Sequence, residues 1–154
     1  MQLADFLDCD AIKTSLPGGN KRSLLQQLAN LAGQRVGIDG ARINAALSER
    51  EHLGSTGFGQ GVAIPHAKID GLTQAYGLFV RLGEPVDYKA IDGRHVDLVF
   101  LLLSPPDAGA QHLKALAAIS RVTRDAATLE RLRGARSRDA LAAVLMGADE
   151  REAT

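Results

Sequence analysis

The chain has 154 residues, of which 45% are hydrophobic and 23% charged, a size and balance that fit one folded domain and exclude a disordered chain. Eighteen basic and eighteen acidic side chains cancel, and aromatic residues make up only 4% with no Trp, so the sequence offers no nucleic-acid surface by charge or by stacking. The single cysteine, Cys9, excludes an intrachain disulfide and a multi-thiolate metal site, and reads as a small residue near the N-terminal core of a cytoplasmic protein. The longest apolar run, Leu98 to Leu103, is far short of the ~20 residues of a bilayer span, and no leader pattern begins at Met1, so no membrane insertion is expected.

In chain order, a short run around Ala11 to Thr14 reads as a strand or an irregular lead-in, closed by the turn residues Pro17, Gly18 and Gly19. Leu24, Leu25, Leu28, Leu31 and Ala32 then recur at helical spacing from Lys21 to Gly33, with Asn20 as N-cap and Gly33 as the C-terminal stop. Asp39 caps a second helix through Ala41, Ile43, Ala46 and Leu47 that ends near Arg50 and Glu51. Four glycines between Gly54 and Gly61 predict a loop without regular structure. After the brief apolar segment Val62 to Ile64, Pro65 removes a ladder donor and biases Ile64 towards an extended conformation, which puts His66 at a strand edge or end.

Ala75 to Leu82 and Val96 to Leu103 read as strands. The second is apolar without alternation, the pattern of a central strand covered on both faces. A helix from about Gln111 presents Leu113, Leu116, Ile119 and Val122 on one face, and a shorter one from about Ala127 stops at Gly134. The last helix starts at the cap Ser137 and carries Leu141, Val144 and Leu145. Residues 1–147 form the predicted domain and 148–154 a polar, frayed tail. The expected fold class is α/β, a single domain with a mixed β-sheet flanked by α-helices on both faces.

The four histidines, His52, His66, His95 and His112, lack the spacing that sets two metal ligands on one element, so no metal site is expected. The glycine segment is neither a Walker A loop, a dinucleotide fingerprint nor a hydrolase elbow, and no cofactor is expected. What remains is His66, placed after a proline, downstream of a glycine-rich loop and of an arginine at a helix end. On spacing alone the histidine reads as structural or functional, and the glycines as a functional loop or a plain turn.

The segment Arg50-Glu51-x-Leu53-Gly54-Ser55-Thr56-Gly57-x-Gly59-x-Gly61-Val62-Ala63-Ile64-Pro65-His66-Ala67-Lys68 closely resembles the signature of IIA domains of the bacterial phosphoenolpyruvate-dependent phosphotransferase system, fructose and mannitol class. Its stand-alone nitrogen-regulatory subgroup is the nearest. The likeness extends to Val96–Phe100 and to Gln111-His112-Leu113 with Leu116, and more loosely spans Leu3 to Met146.

This resemblance implies that His66 accepts a phosphoryl group on a ring nitrogen from a phosphohistidine carrier protein of HPr or NPr type. His112 falls on the family's second histidine and Arg50 on its arginine. Ser55 and Thr56 match the signature, as phosphate-loop residues or as simple turn formers. Phe58 offers either an apolar contact at the rim or an inward-packed side chain.

Such parts suit the reaction, because phosphoryl transfer has a loose transition state that a protein assists by positioning and by donating to the equatorial oxygens. The implied output is regulation through cytosolic target proteins. The alternatives are a sugar-transport subunit that passes the group to a IIB cysteine and a non-catalytic binding module.

Overall fold

The computed structural model describes residues 1–153. Two short 3-10 turns, Leu3–Asp5 and Cys9–Ala11, precede β1 (Lys13–Leu16), α1 (Lys21–Val36), α2 (Gly40–His52), β2 (Gly57–Gly59), β3 (Val62–Ala63), β4 (His66–Lys68), β5 (Tyr76–Val86), β6 (Val96–Ser104), α3 (Gly109–Thr123), α4 (Ala126–Gly134) and α5 (Arg138–Ala153). The strands form one six-stranded sheet in the order β1-β5-β6-β3-β2, and β4 also pairs with β6. β1 runs parallel to β5, β5 antiparallel to β6, and β3 and β4 parallel to β6, so the sheet is mixed as expected.

The unalternating apolar run of β6 has the cause read from the sequence. Val99, Leu101 and Leu103 join α1 and α2 in one core, and Leu98, Phe100 and Leu102 join α3, α4 and α5 in a second on the opposite face. Cys9 packs, half-buried, against that second core. Among the described residues no helix is long and apolar enough to cross a membrane.

The caps are where the sequence put them: Asn20 accepts from the Ser23 amide, Asp39 from the Ala41 amide, and Ser137 from the Ala140 amide. Four local expectations need correction. Gly33 is not the end of α1, which runs to Val36 and stops at Gly37 in the left-handed region (φ 73°). Gly33 is instead a packing glycine, where a Cβ would lie 2.6 Å from the Ile38 carbonyl oxygen.

The glycine segment is not all loop either. β2 and β3 form a hairpin turned by Gln60 and Gly61, both at positive φ, the hand that matches strand twist. Leu113 does not belong to the buried face of α3, being 67% exposed, while His112, Ala115, Ala118 and Ile119 face inward. Residues from 148 on do not fray at once: α5 continues to Ala153, and the buried Asp149 carboxylate accepts the Leu3 and Ala4 amides at 2.9 and 3.3 Å.

Candidate functional site

Pro65 makes the site by breaking a strand. β3 and β4 lie end to end against β6, in the registers Val62↔Leu98 and His66↔Leu102, with Ile64 and Pro65 between them. The Ile64 amide leaves the sheet to donate to Thr56 O at 2.9 Å, and Pro65, with no amide of its own, offers only its carbonyl, which accepts from Leu102. The Ile64 carbonyl is thereby left for a side chain, and His66 Nδ1 lies 2.7 Å from it. A carbonyl only accepts, so Nδ1 carries the hydrogen and Nε2 keeps its lone pair.

Arg50, in the last turn of α2, donates its Nε to His66 Nε2 at 3.3 Å and a terminal nitrogen to Gly54 O at 3.0 Å. The His112 ring stands 5.5 Å from that of His66, centroid to centroid, with its Nδ1 2.7 Å from Ser104 Oγ. Arg50, Leu53, His66, Lys68 and His112 line an open depression of about 360 Å³. Leu53, 82% exposed, sits on its rim, and the exposed Leu113 follows His112 in sequence. A hollow of about 410 Å³ beside Phe6 and Gln111 gathers no imidazole or guanidinium.

Both rings are neutral at pH 7. Burial, with the Arg50 cation adding to it, holds the His66 pKa below the ordinary 6.5 against the opposing pull of the Ile64 bond. Burial, then the neighbouring His66 and Lys68, lowers that of His112 to about 4. The site therefore holds a neutral nucleophilic nitrogen with its lone pair directed towards a guanidinium, a second imidazole nearby, and room for a tetrahedral anion.

Of the residues expected from the sequence, Arg50, His66 and His112 come together, while Ser55 and Thr56 lie apart from the depression. Ser55 Oγ accepts from the Gly57 amide at 3.0 Å and reaches Tyr88 O at 3.5 Å. Thr56 is buried, its amide donating to both oxygens of Glu51 at 3.2 Å and its hydroxyl bonding Glu51 and, at 2.9 Å, Tyr88. Both hydroxyls fix the loop. Phe58 is 42% exposed on the hairpin, outside the depression.

Sequence reasoning missed the cluster that holds this loop. Glu51 accepts from Tyr88 OH at 2.9 Å and from Lys21 Nζ at 2.7 Å, and Lys21 also sits 4.5 Å over the Tyr88 ring. Burial opposes the charge on Glu51, yet the bonds from Lys21, Thr56 and Tyr88 outweigh it and keep its pKa below the usual carboxylate value. Glu51 belongs to the segment 50–68 that carries the family likeness; nothing in the sequence points to Lys21, Tyr88 or Ser104.

Comparison with known proteins gives the family and the fold. The family model described as phosphoenolpyruvate-dependent sugar phosphotransferase system, EIIA 2, matches residues 5–147. A nitrogen regulatory protein of Bradyrhizobium diazoefficiens is 44% identical over 145 residues, 94% of this chain and 95% of that protein. Among solved structures, the nitrogen regulatory protein IIA-Ntr of Neisseria meningitidis superposes with a TM-score of 0.87 at 35% identity, covering 93% of this chain and 98% of that one. The mannitol IIA of Escherichia coli, solved in complex with phosphorylated IIB, shares the fold at 17% identity with a TM-score of 0.78, covering 92% of this chain and 99% of that one.

Proposed function

This chain belongs to the EIIA type-2 family of the phosphoenolpyruvate-dependent sugar phosphotransferase system, and on that footing we propose that it relays a phosphoryl group on His66 Nε2. One observation carries the choice of atom: the 2.7 Å bond from Nδ1 to the Ile64 carbonyl, which leaves Nε2 the only nucleophilic nitrogen of the ring.

In the step, the Nε2 lone pair forms a bond to phosphorus while the N–P bond of an incoming phosphohistidine breaks and returns its electron pair to the donor imidazole. No proton needs to be gained or lost by His66, because its one hydrogen stays on Nδ1. Arg50, 3.3 Å from Nε2, turns its fork of donors onto the phosphoryl oxygens as charge spreads over them. Leu53 on the rim and the exposed Leu113 supply apolar surface for a transient contact with the donor, a carrier protein of HPr or NPr type.

The output is regulatory, exerted in the cytoplasm on target proteins that distinguish the phosphorylated from the free form. Full-length likeness to a nitrogen regulatory protein supports this reading. A second reading, transfer to a IIB cysteine, is favoured by a 32% identical fructose-specific EIIA component of Haloferax volcanii and by the shared fold of the mannitol protein.

Incubation with a phosphorylated carrier, followed by intact-mass measurement, tests the proposal. One phosphoryl group, stable in alkali, lost in acid and absent from His66→Ala, is expected, with the phosphorus signal that of an Nε2 adduct. Phosphorylation of His66→Ala to the same extent would overturn it. Addition of a IIB domain then separates the readings, since rapid loss of the group to IIB marks the transport role.

A further inference from the structure

Ser104 ends β6 at a fixed point, paired with Lys68 and accepting the Ile69 amide on its carbonyl at 2.8 Å. Its side chain is closed to solvent and, among the described residues, its hydroxyl has one polar partner, His112 Nδ1 at 2.7 Å. The pair has two protonation patterns. If Nδ1 donated to the oxygen, the serine hydrogen would be left without an acceptor where water does not reach, a costly fault in a buried site. If the hydroxyl donates to Nδ1, every hydrogen is used. The second pattern makes His112 the Nε2–H tautomer.

That Nε2–H is available. Among the described residues the only buried side-chain nitrogen or oxygen without a partner is Asn44 Oδ1. His112 Nε2, which has no partner among the described residues, is therefore open to the depression that His112 lines beside His66. Burial keeps the ring neutral at pH 7, so this one hydrogen is all it has to give.

We propose that Ser104 is a positioning residue that fixes His112 as an Nε2–H donor to the phosphoryl group on His66. The two imidazoles, 5.5 Å apart, are held in opposite tautomers by opposite partners. A carbonyl that only accepts makes His66 present a lone pair, and a hydroxyl with nothing else to donate to makes His112 present a hydrogen. The inference rests on the reading of His66 as acceptor, because the oxygens that His112 would meet are those of a group carried by the neighbouring ring.

The test is long-range proton–nitrogen NMR of the unphosphorylated, nitrogen-15-labelled protein at neutral pH, which reads each tautomer without any transfer chemistry. Nδ1–H at His66 together with Nε2–H at His112 is expected; Nδ1–H at His112 overturns the proposal. In Ser104→Ala, His112 should become a mixture of tautomers, and His66 should gain its phosphoryl group about 2- to 10-fold more slowly, the effect of losing one orienting hydrogen bond. An unchanged rate in a folded Ser104→Ala also overturns it. Should the wild-type chain accept no phosphoryl group at all, the reading of His66 fails, and the tautomer spectrum distinguishes that failure from an error about Ser104.

Discussion

Arg50 and Glu51 are neighbours at the end of α2, yet their side chains enter opposite kinds of surroundings. Glu51 turns inward, where Lys21, Tyr88 and both the amide and hydroxyl of Thr56 saturate its oxygens. Arg50 turns to an open depression, where its bonds to His66 Nε2 and Gly54 O leave guanidinium hydrogens for an incoming anion. One cluster is complete without a ligand and the other is not. The difference teaches that a motif of adjacent charges divides by face: the saturated side fixes the loop, and the unsaturated side has capacity left for chemistry.

Breaking the saturated side has the larger effect. Glu51→Ala leaves Lys21, Tyr88 and the Thr56 donors without their acceptor in a mostly buried place. It should cost about 2 to 4 kcal/mol, seen as a Tm lower by roughly 4 to 16 °C in a chain of this size. A shift within 2 °C would mean that the cluster is not what holds the loop.

Arg50→Ala should divide the same way in reverse. Its melting temperature should stay close to the wild-type value, while phosphoryl gain on His66 slows about 10- to 100-fold, as when one oriented donor is removed from a developing anion. Arg50→Lys should not restore the rate, because an ammonium cannot present two nitrogens in the fork that now spans His66 Nε2 and Gly54 O. Equal stability losses in Arg50→Ala and Glu51→Ala would erase the distinction between the two faces.

The sequence made one half of this contrast legible and hid the other. His66 and Arg50 stood out because Pro65, the glycines and the helix end lie within a single stretch whose wording matches a family. Lys21 and Tyr88 reach Glu51, and Ser104 reaches His112, from elements outside that stretch, so only the folded chain brings them there. The same division holds for the fold. Caps at Asn20, Asp39 and Ser137 are local hydrogen bonds and are therefore legible in the sequence. Gly33 is not legible, because a glycine that ends a helix and one that lets a backbone approach look alike in sequence; the Ile38 carbonyl decides between them.

The β2–β3 hairpin leaves no sequence signal, since backbone pairing and not side-chain alternation builds it. Leu113 fitted the helical period but lies one position past the inward His112, so tertiary orientation overrode the pattern. Asp149 reads as part of a polar tail until its partners, the amides of Leu3 and Ala4, arrive from the other end of the chain.

The smallest effect sharpens the comparison by separating the two clusters in pH. His112 has a folded pKa of about 4 against an ordinary 6.5, so the unfolded chain takes up its proton first as the solution is acidified. Stability from burying that ring neutral is complete above pH 6.5 and is lost as pH falls towards 4, and the lowered pKa of His66 adds in the same direction. Glu51 also has a lowered pKa, so its contribution is complete above the ordinary 4.5 and is lost below that as its folded pKa is approached. Melting temperature should therefore decline in two stages as pH drops from 7, the first belonging to the open depression and the second to Glu51 together with the other carboxylates of lowered pKa, Asp8, Asp87 and Asp92. His112→Asn should reduce the first stage and leave the second, and Glu51→Ala should reduce the second and leave the first. A melting temperature constant from pH 7 to 5 in the wild-type protein would mean that the histidines are not kept neutral by burial, and the nucleophile at Nε2 would then compete with a proton in the physiological range.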